Sequence, residues 1–261
     1  MENEKPARLW RWVVLVSVLL NVAFNYYTNV NPINGQRIGE VSDQYPTLFT
    51  PAGYAFSIWG LIYFTFIIYV IYQLLPAQRR DSLFDWLAGP LIVTSLLSMA
   101  WLISFSYEWI PLSVFILLTM LLTGIVLLVR TRKWIAKHNR HQWVSIPFGL
   151  YAGWLTVAVI ANTAVGLSSL GWQGGHWGEA TWAIIMIIVA LLIGMLISWR
   201  LRDIIYPLVI VWASVAIYFA RQSEQTLVAS MALASAVVLA VWIIGYGLWL
   251  FRHPLQRTSI S

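Results

Sequence analysis

The chain has 261 residues, of which 60% are hydrophobic and only 10% charged, and its mean hydropathy is strongly positive. A soluble domain carries about 25% charged residues, so this composition indicates a polytopic membrane protein. There is no cysteine, which excludes disulfides, thiolate metal sites and cysteine nucleophiles, and the formal charge of +6 lies in membrane-flanking segments rather than on a nucleic-acid-binding face.

After a charged start (Glu2, Glu4, Lys5, Arg8, Arg11), the first apolar run extends from about Trp10 to Val30. No small-residue cleavage site follows its apolar part, so it reads as a retained first helix rather than a removed signal. Residues 31 to 50 include Pro32, Asn34, Gly35, Gly39 and Pro46 and make a loop of about twenty residues, the length of a functional lid or of a disordered segment. A second helix is expected from about 53 to 75, ending at Pro76, and a third from about 86 to 107. Glu108-Trp109-Ile110-Pro111 reverses the chain into a fourth helix over about 110 to 129. Residues 130 to 142 read as a basic loop, and a fifth helix follows over about 143 to 168. A Gly-rich turn at 171 to 179 leads to three further apolar runs, at about 181 to 199, 203 to 220 and 228 to 251. The fold class is therefore an all-α helix bundle with about eight membrane spans.

Charge distribution tests that count. If the N-terminus is cytoplasmic, fourteen of the sixteen Lys and Arg residues fall on the cytoplasmic side, all but Arg37 and Arg221. A missed or invented span would scramble this segregation, so both termini are expected in the cytoplasm, with the bacterial cytoplasmic membrane as the expected location. No ionisable residue falls inside the hydrophobic part of any span, which argues against a proton-driven pump or a charged channel ring. His138 and His141 read as solvated loop histidines with no carboxylate nearby, and no phosphate loop, nucleophile elbow or metalloprotease signature is present.

The informative signal is aromatic. Phe56, Trp59 and Tyr63 fall on one face of the second helix; Ser98, Trp101 and Phe105 share a face of the third; Pro147, Tyr151, Trp154, Ala158 and Asn162 share a face of the fifth. Such stripes arise either from packing or from a cavity lining. Of the sixteen tryptophans, most lie near span ends, where indoles anchor helices at headgroup level. Trp59, Trp101, Trp154, Trp212 and Trp242 lie deeper. Counted along the helices, Trp59 and Trp101 sit roughly 9 Å below the outer end and Trp154 roughly 20 Å. Tyr63, Ser98 and Asn162 add polar groups to these faces, and polar groups at such depth need partners. An uncharged, aromatic-walled site of this kind suits a flat hydrophobic ligand.

These residues also carry a resemblance. Pro51 with Ile58-Trp59-Gly60-Leu61-Ile62-Tyr63, Leu97-Ser98-Met99-Ala100-Trp101, and Trp154-Leu155-Thr156-Val157-Ala158 through Asn162 are similar to ordered motifs of the translocator protein family, also called tryptophan-rich sensory protein or peripheral-type benzodiazepine receptor. The resemblance covers about residues 10 to 168. Ser98 stands where the family has asparagine, and Pro147 lies seven residues before Trp154 where the family usually has four.

The resemblance implies a five-helix unit over residues 1–168, with three additional spans over 169–261. It also implies a pocket for porphyrins, sterols or synthetic aromatic ligands, closed by the loop at 31 to 50. A tetrapyrrole is the implied bound molecule, without a required cofactor, and Phe56, Trp59, Tyr63, Ser98, Trp101, Phe105, Tyr151, Trp154, Ala158 and Asn162 are the site candidates. The expected role is a ligand-binding sensor or carrier. Competing readings are a light-dependent porphyrin-degrading enzyme and a scaffold without a small-molecule ligand. Expected partners are the lipid bilayer, a hydrophobic small molecule and a second copy of the chain, and no nucleic acid.

Overall fold

A chain this apolar must satisfy its backbone hydrogen bonds internally, and helices do so within each segment. A computed structural model describes residues 7–139, 141–172 and 174–253; Glu2, Glu4 and Lys5, named above, lie outside them. The helices are α1 (Ala7–Val30), α2 (Ile38–Asp43), α3 (Ile58–Tyr72), α4 (Ser82–Ser106), α5 (Ile110–His138), α6 (Ser145–Ser169), α7 (Gly178–Leu201), α8 (Ile205–Arg221) and α9 (Thr226–Arg252). No strand occurs among the described residues. Among the described residues, seven segments are long and apolar enough to cross a membrane, so the protein is a multi-pass helical membrane protein in contact with lipid. The expected eighth span, α8, has 17 residues. At 1.5 Å per residue that is about 25 Å, short of a bilayer core of about 30 Å.

Several boundaries differ from the sequence reading. The loop at 31 to 50 is not featureless: it holds a 3-10 turn at Ile33–Gly35 and the helix α2. The second span opens with a 3-10 turn at Gly53–Ser57 before α3 begins. The third starts a turn early, because the Asp81 carboxylate accepts a hydrogen bond from the Leu83 N–H and caps α4 there. The basic stretch from Arg130 to Lys137 is not a loop but the last two turns of α5, where cations complement the helix C-terminus.

His141 is not a solvated loop residue either. Its Nε2 lies 2.9 Å from an Asp81 carboxylate oxygen and its Nδ1 2.9 Å from the Tyr72 hydroxyl, and the His141 and Asp81 side chains are both buried. The two residues are sixty apart in sequence, so no local pattern could pair them. Beside them Arg11 is buried on the first turns of α1. It donates to the Asp85 carboxylate at 2.8 and 3.1 Å and to the carbonyls of Gln73, Gln78 and Asp81. These contacts tie α1, the α3–α4 turn and α6's lead-in together at what is called here the basic end; the opposite end carries α2 and is called the lid end.

Between the ends, α4 packs along α5 and α5 along α6, while α8 packs along α9 and against α6 and α7. Without a hydrophobic drive between helices in lipid, close approach through small residues supplies the dispersion contacts. Gly153 on α6 is such a point: a Cβ there would lie 2.8 Å from the Tyr206 carbonyl oxygen and 3.0 Å from Val209 Cβ. One turn earlier, Gly149 meets Ile205 and Asp203 in the same way. Asp203 in turn accepts hydrogen bonds from the Ile205 and Tyr206 N–H groups and sets the start of α8. Thr156 and the Tyr206 hydroxyl, 2.6 Å apart, close the same interface.

Gly153→Val is therefore expected to push α8 off α6 at a cost of about 1–3 kcal/mol, the usual range for overpacking. Thermal unfolding of the purified variant in detergent checks this, and an unchanged midpoint would mean that α8 is not seated as described.

Candidate functional site

The lid is built from the polar stretch that separates α1 from α3. Asn34 and Gly35 take positive φ angles of 59° and 74°, which turn the chain back over the bundle. The Glu40 carboxylate accepts from the Arg37 N–H at 2.8 Å and starts α2. On one side the lid is held to the α4–α5 turn: the Asn34 amide donates to the Ser106 carbonyl and the Tyr45 hydroxyl donates to the Glu108 carboxylate at 2.9 Å. That hydrogen bond to Glu108 raises the Tyr45 phenol above its ordinary range, with burial and the Glu108 charge adding to it. Val41 packs against Phe105, Ile110 and Val165, so α2 is seated on an apolar cluster.

On the other side the lid is held by α8. The Arg221 guanidinium donates to the carbonyls of Thr47 at 2.9 Å, Leu48 at 3.3 Å and Thr50 at 3.2 Å. Deeper in, the Ala52 N–H donates to the Ala216 carbonyl at 3.2 Å, and the Trp212 indole N–H donates to the Ala55 carbonyl at 3.0 Å. Non-helical backbone within a membrane is tolerated only where protein satisfies its polar groups. Here α8 partners backbone groups of Thr47, Leu48, Thr50, Ala52 and Ala55, although it lies far along the chain.

Beneath the lid are two chambers that share a wall. The inner one is tight, with a water-accessible volume of about 50 Å³, and is lined by apolar and aromatic groups ending at Asn162. The outer one, about 300 Å³, shares Ser42 with the inner and adds the polar side chains of Asn25, Asn29 and Asp43 from α1 and α2. Phe56, Trp59 and Trp101 face both chambers and so form the partition. The Phe56 ring meets Trp154 edge-on at 5.7 Å, Trp101 stacks on Phe105 at 5.4 Å, and Trp59 stacks on Tyr63 at 5.4 Å. Trp154 is only 1% exposed. Its indole N–H and that of Trp101 are buried donors without an acceptor among the described residues, and both side chains line the inner chamber.

Seven of the ten sequence candidates line the inner chamber: Phe56, Trp59, Trp101, Phe105, Trp154, Ala158 and Asn162. The other three lie behind the lining. Tyr63 supports Trp59 from below; Tyr151 meets Trp59 at 6.2 Å and shares a hydrogen bond with Thr94; Ser98 is buried beside the Tyr63 hydroxyl. Asn162 is not free, since its amide donates to the Ser113 hydroxyl on α5 at 3.0 Å. Leu117 of α5, the lid residues Ile38 and Ser42, and Asn25 and Asn29 of α1 also line the site, although the sequence reading did not single them out. The Asn25 and Asn29 pair, four apart on one helix face, is the signal that could have found α1. The remaining deep tryptophans do other work: Trp212 holds Ala55, and Trp242 donates to the Ser198 hydroxyl on α7.

A family model described as TSPO-like protein matches residues 11–245, a span that runs from α1 into α9. The comparisons with curated proteins and with solved structures return no match.

The grip of α8 on the lid has a direct test. Arg221→Ala leaves three carbonyls without their donor and is expected to speed amide hydrogen exchange over residues 47 to 57 about tenfold, the equivalent of one modest hydrogen bond, while α4 and α5 exchange as before. Unchanged exchange in that segment would show that the guanidinium does not hold it.

Proposed function

Because the chain belongs to the family of TSPO-like proteins, we propose that it binds a planar hydrophobic molecule between α3, α4 and α6 under the α2 lid, as a sensor or carrier of that molecule. The observation that carries this reading is the ring of Phe56, Trp59, Trp101 and Trp154 around one cavity, with two of the four indole or phenyl groups offering unpaired N–H donors. Aromatic walls favour flat ligands through stacking and edge contacts, and the orphaned donors favour a ligand with an acceptor, such as a carbonyl or ring nitrogen, at its buried end. Ligand sites usually offer about 300–1,000 Å³. The inner chamber alone is far smaller, so the bound state joins it to the outer chamber by moving the shared Phe56, Trp59 and Trp101 rings or the lid above them.

Trp154→Leu is the discriminating variant. It removes a stacking surface worth about 0.5–1.5 kcal/mol beyond area, a roughly two- to tenfold loss of affinity before packing losses are added. Quenching of tryptophan fluorescence in the purified protein by porphyrins, bilins, carotenoids and sterols gives the measurement. Trp177→Leu, at an indole 65% exposed on the lid end, serves as the control that leaves affinity unchanged. Loss of thermal stability in Trp154→Leu with unchanged affinity would favour a packing role and a scaffold.

The proposed orientation places the basic end in the cytoplasm, from the segregation of Lys and Arg. Ser145 is buried and makes a poor reporter, whereas Glu40 and Gln142 are exposed at opposite ends. A single cysteine at Glu40 is expected to react with an impermeant maleimide on intact cells, and one at Gln142 only after permeabilisation; the reverse pattern would invert the topology.

A further inference from the structure

We infer that the cavity selects its ligand by charge: it takes a flat molecule that is neutral or cationic at its outer edge, and Asp43 disfavours one that carries carboxylates. This rests on the reading of the cavity as a ligand site. A ligand whose aromatic body lies among Trp59, Trp101 and Trp154 must leave any charged substituent in the outer chamber, because no charged residue lines the inner one. There it meets the amides of Asn25 and Asn29 and the carboxylate of Asp43. Among the described residues lining either chamber, Asp43 is the one ionisable group, and no Lys, Arg or His is present. Arg37, the basic residue of the lid, is exposed at the opposite end of α2 and lines neither chamber. Asp43 itself has no hydrogen-bonded or ion-paired side-chain partner among the described residues, so its charge is not already neutralised by a neighbour.

A ligand carboxylate entering this chamber loses water, finds no cation and approaches a like charge, and each of these disfavours it. A primary amide also loses water, but it carries no charge to bury or to repel Asp43 and finds amide and hydroxyl partners. An ammonium gains the Asp43 charge. The tetrapyrrole acids that the family resemblance brings forward therefore fit the aromatic walls of this chain but not the charge of its outer chamber, whereas esters, amides or amines built on a flat ring system fit both.

The test uses three pyrene probes that differ only at the tail: pyrenebutanoate, pyrenebutanamide and pyrenebutylamine. Each is titrated into the purified full-length protein in neutral-lipid nanodiscs at neutral pH, with energy transfer from tryptophan to pyrene as the readout. The amide and the amine are expected to saturate the signal, with the carboxylate about tenfold weaker than the amide. Asp43 is solvent-exposed, so its own share is modest: Asp43→Lys is expected to strengthen the carboxylate and weaken the amine by about threefold to fivefold each. Each shift is read as the ratio of the charged probe to the amide in the same variant, so that a general change in the site cancels. Equal affinity of the carboxylate and the amide for the natural protein, or an order of affinities unmoved by Asp43→Lys, overturns the charge selection and leaves the cavity reading standing. Failure of all three probes to bind, together with failure of every member of the broader ligand panel, removes the cavity reading and this inference with it.

Discussion

The segment from Thr47 to Ser57 is the constraint on which the rest of this structure depends. It enters the bundle without being an α-helix, so its local hydrogen bonds, such as Thr50 N–H to the Thr47 carbonyl, leave other carbonyls and N–H groups to be satisfied from outside the segment. Arg221, Ala216 and Trp212 of α8 supply the missing partners at three successive depths. That arrangement requires α8 to lie close against α6, which the glycines at 149 and 153 permit. The last third of the chain is thereby made a structural part of the cavity's entrance, although none of its side chains lines the inner chamber.

Two ends with opposite character follow from this. At the basic end, Arg11 spans three carbonyls and a carboxylate, and His141 bridges Asp81 and Tyr72, while the Tyr69 hydroxyl beside them has no partner among the described residues. Breaking any one of these would leave a buried charge or carbonyl unpaired, so that end is built to hold still. The cavity walls hold no such charged network among the described residues: the buried N–H donors of Trp101 and Trp154 stay unpaired, and the lid above them is fastened by a few hydrogen bonds at its rims. Local stability is lowest where buried contacts are few.

The sequence made much of this legible. Offsets of three, four and seven placed Trp59, Trp101 and Trp154 on inward faces, because helical periodicity is a local property of the chain. The same arithmetic misjudged Tyr63, Ser98 and Tyr151, which share those faces but sit one turn too deep to reach the cavity. Periodicity reports direction around a helix and says nothing of where along its length the neighbouring helix stops. His141 was misread for a related reason: its carboxylate partner arrives from a turn sixty residues away.

Composition, hydrophobic run lengths and charge segregation by themselves determined that this is a multi-pass helical membrane protein with an aromatic interior, since those features depend only on the solvent that each residue meets. Only the tertiary structure decided that a short helix closes the cavity, that α1 and α5 join its walls, and that α8 holds its entrance. Those outcomes depend on which helices lie side by side, and in lipid that choice is made by close packing and by pairing of distant polar groups, neither of which leaves a periodic trace in the chain.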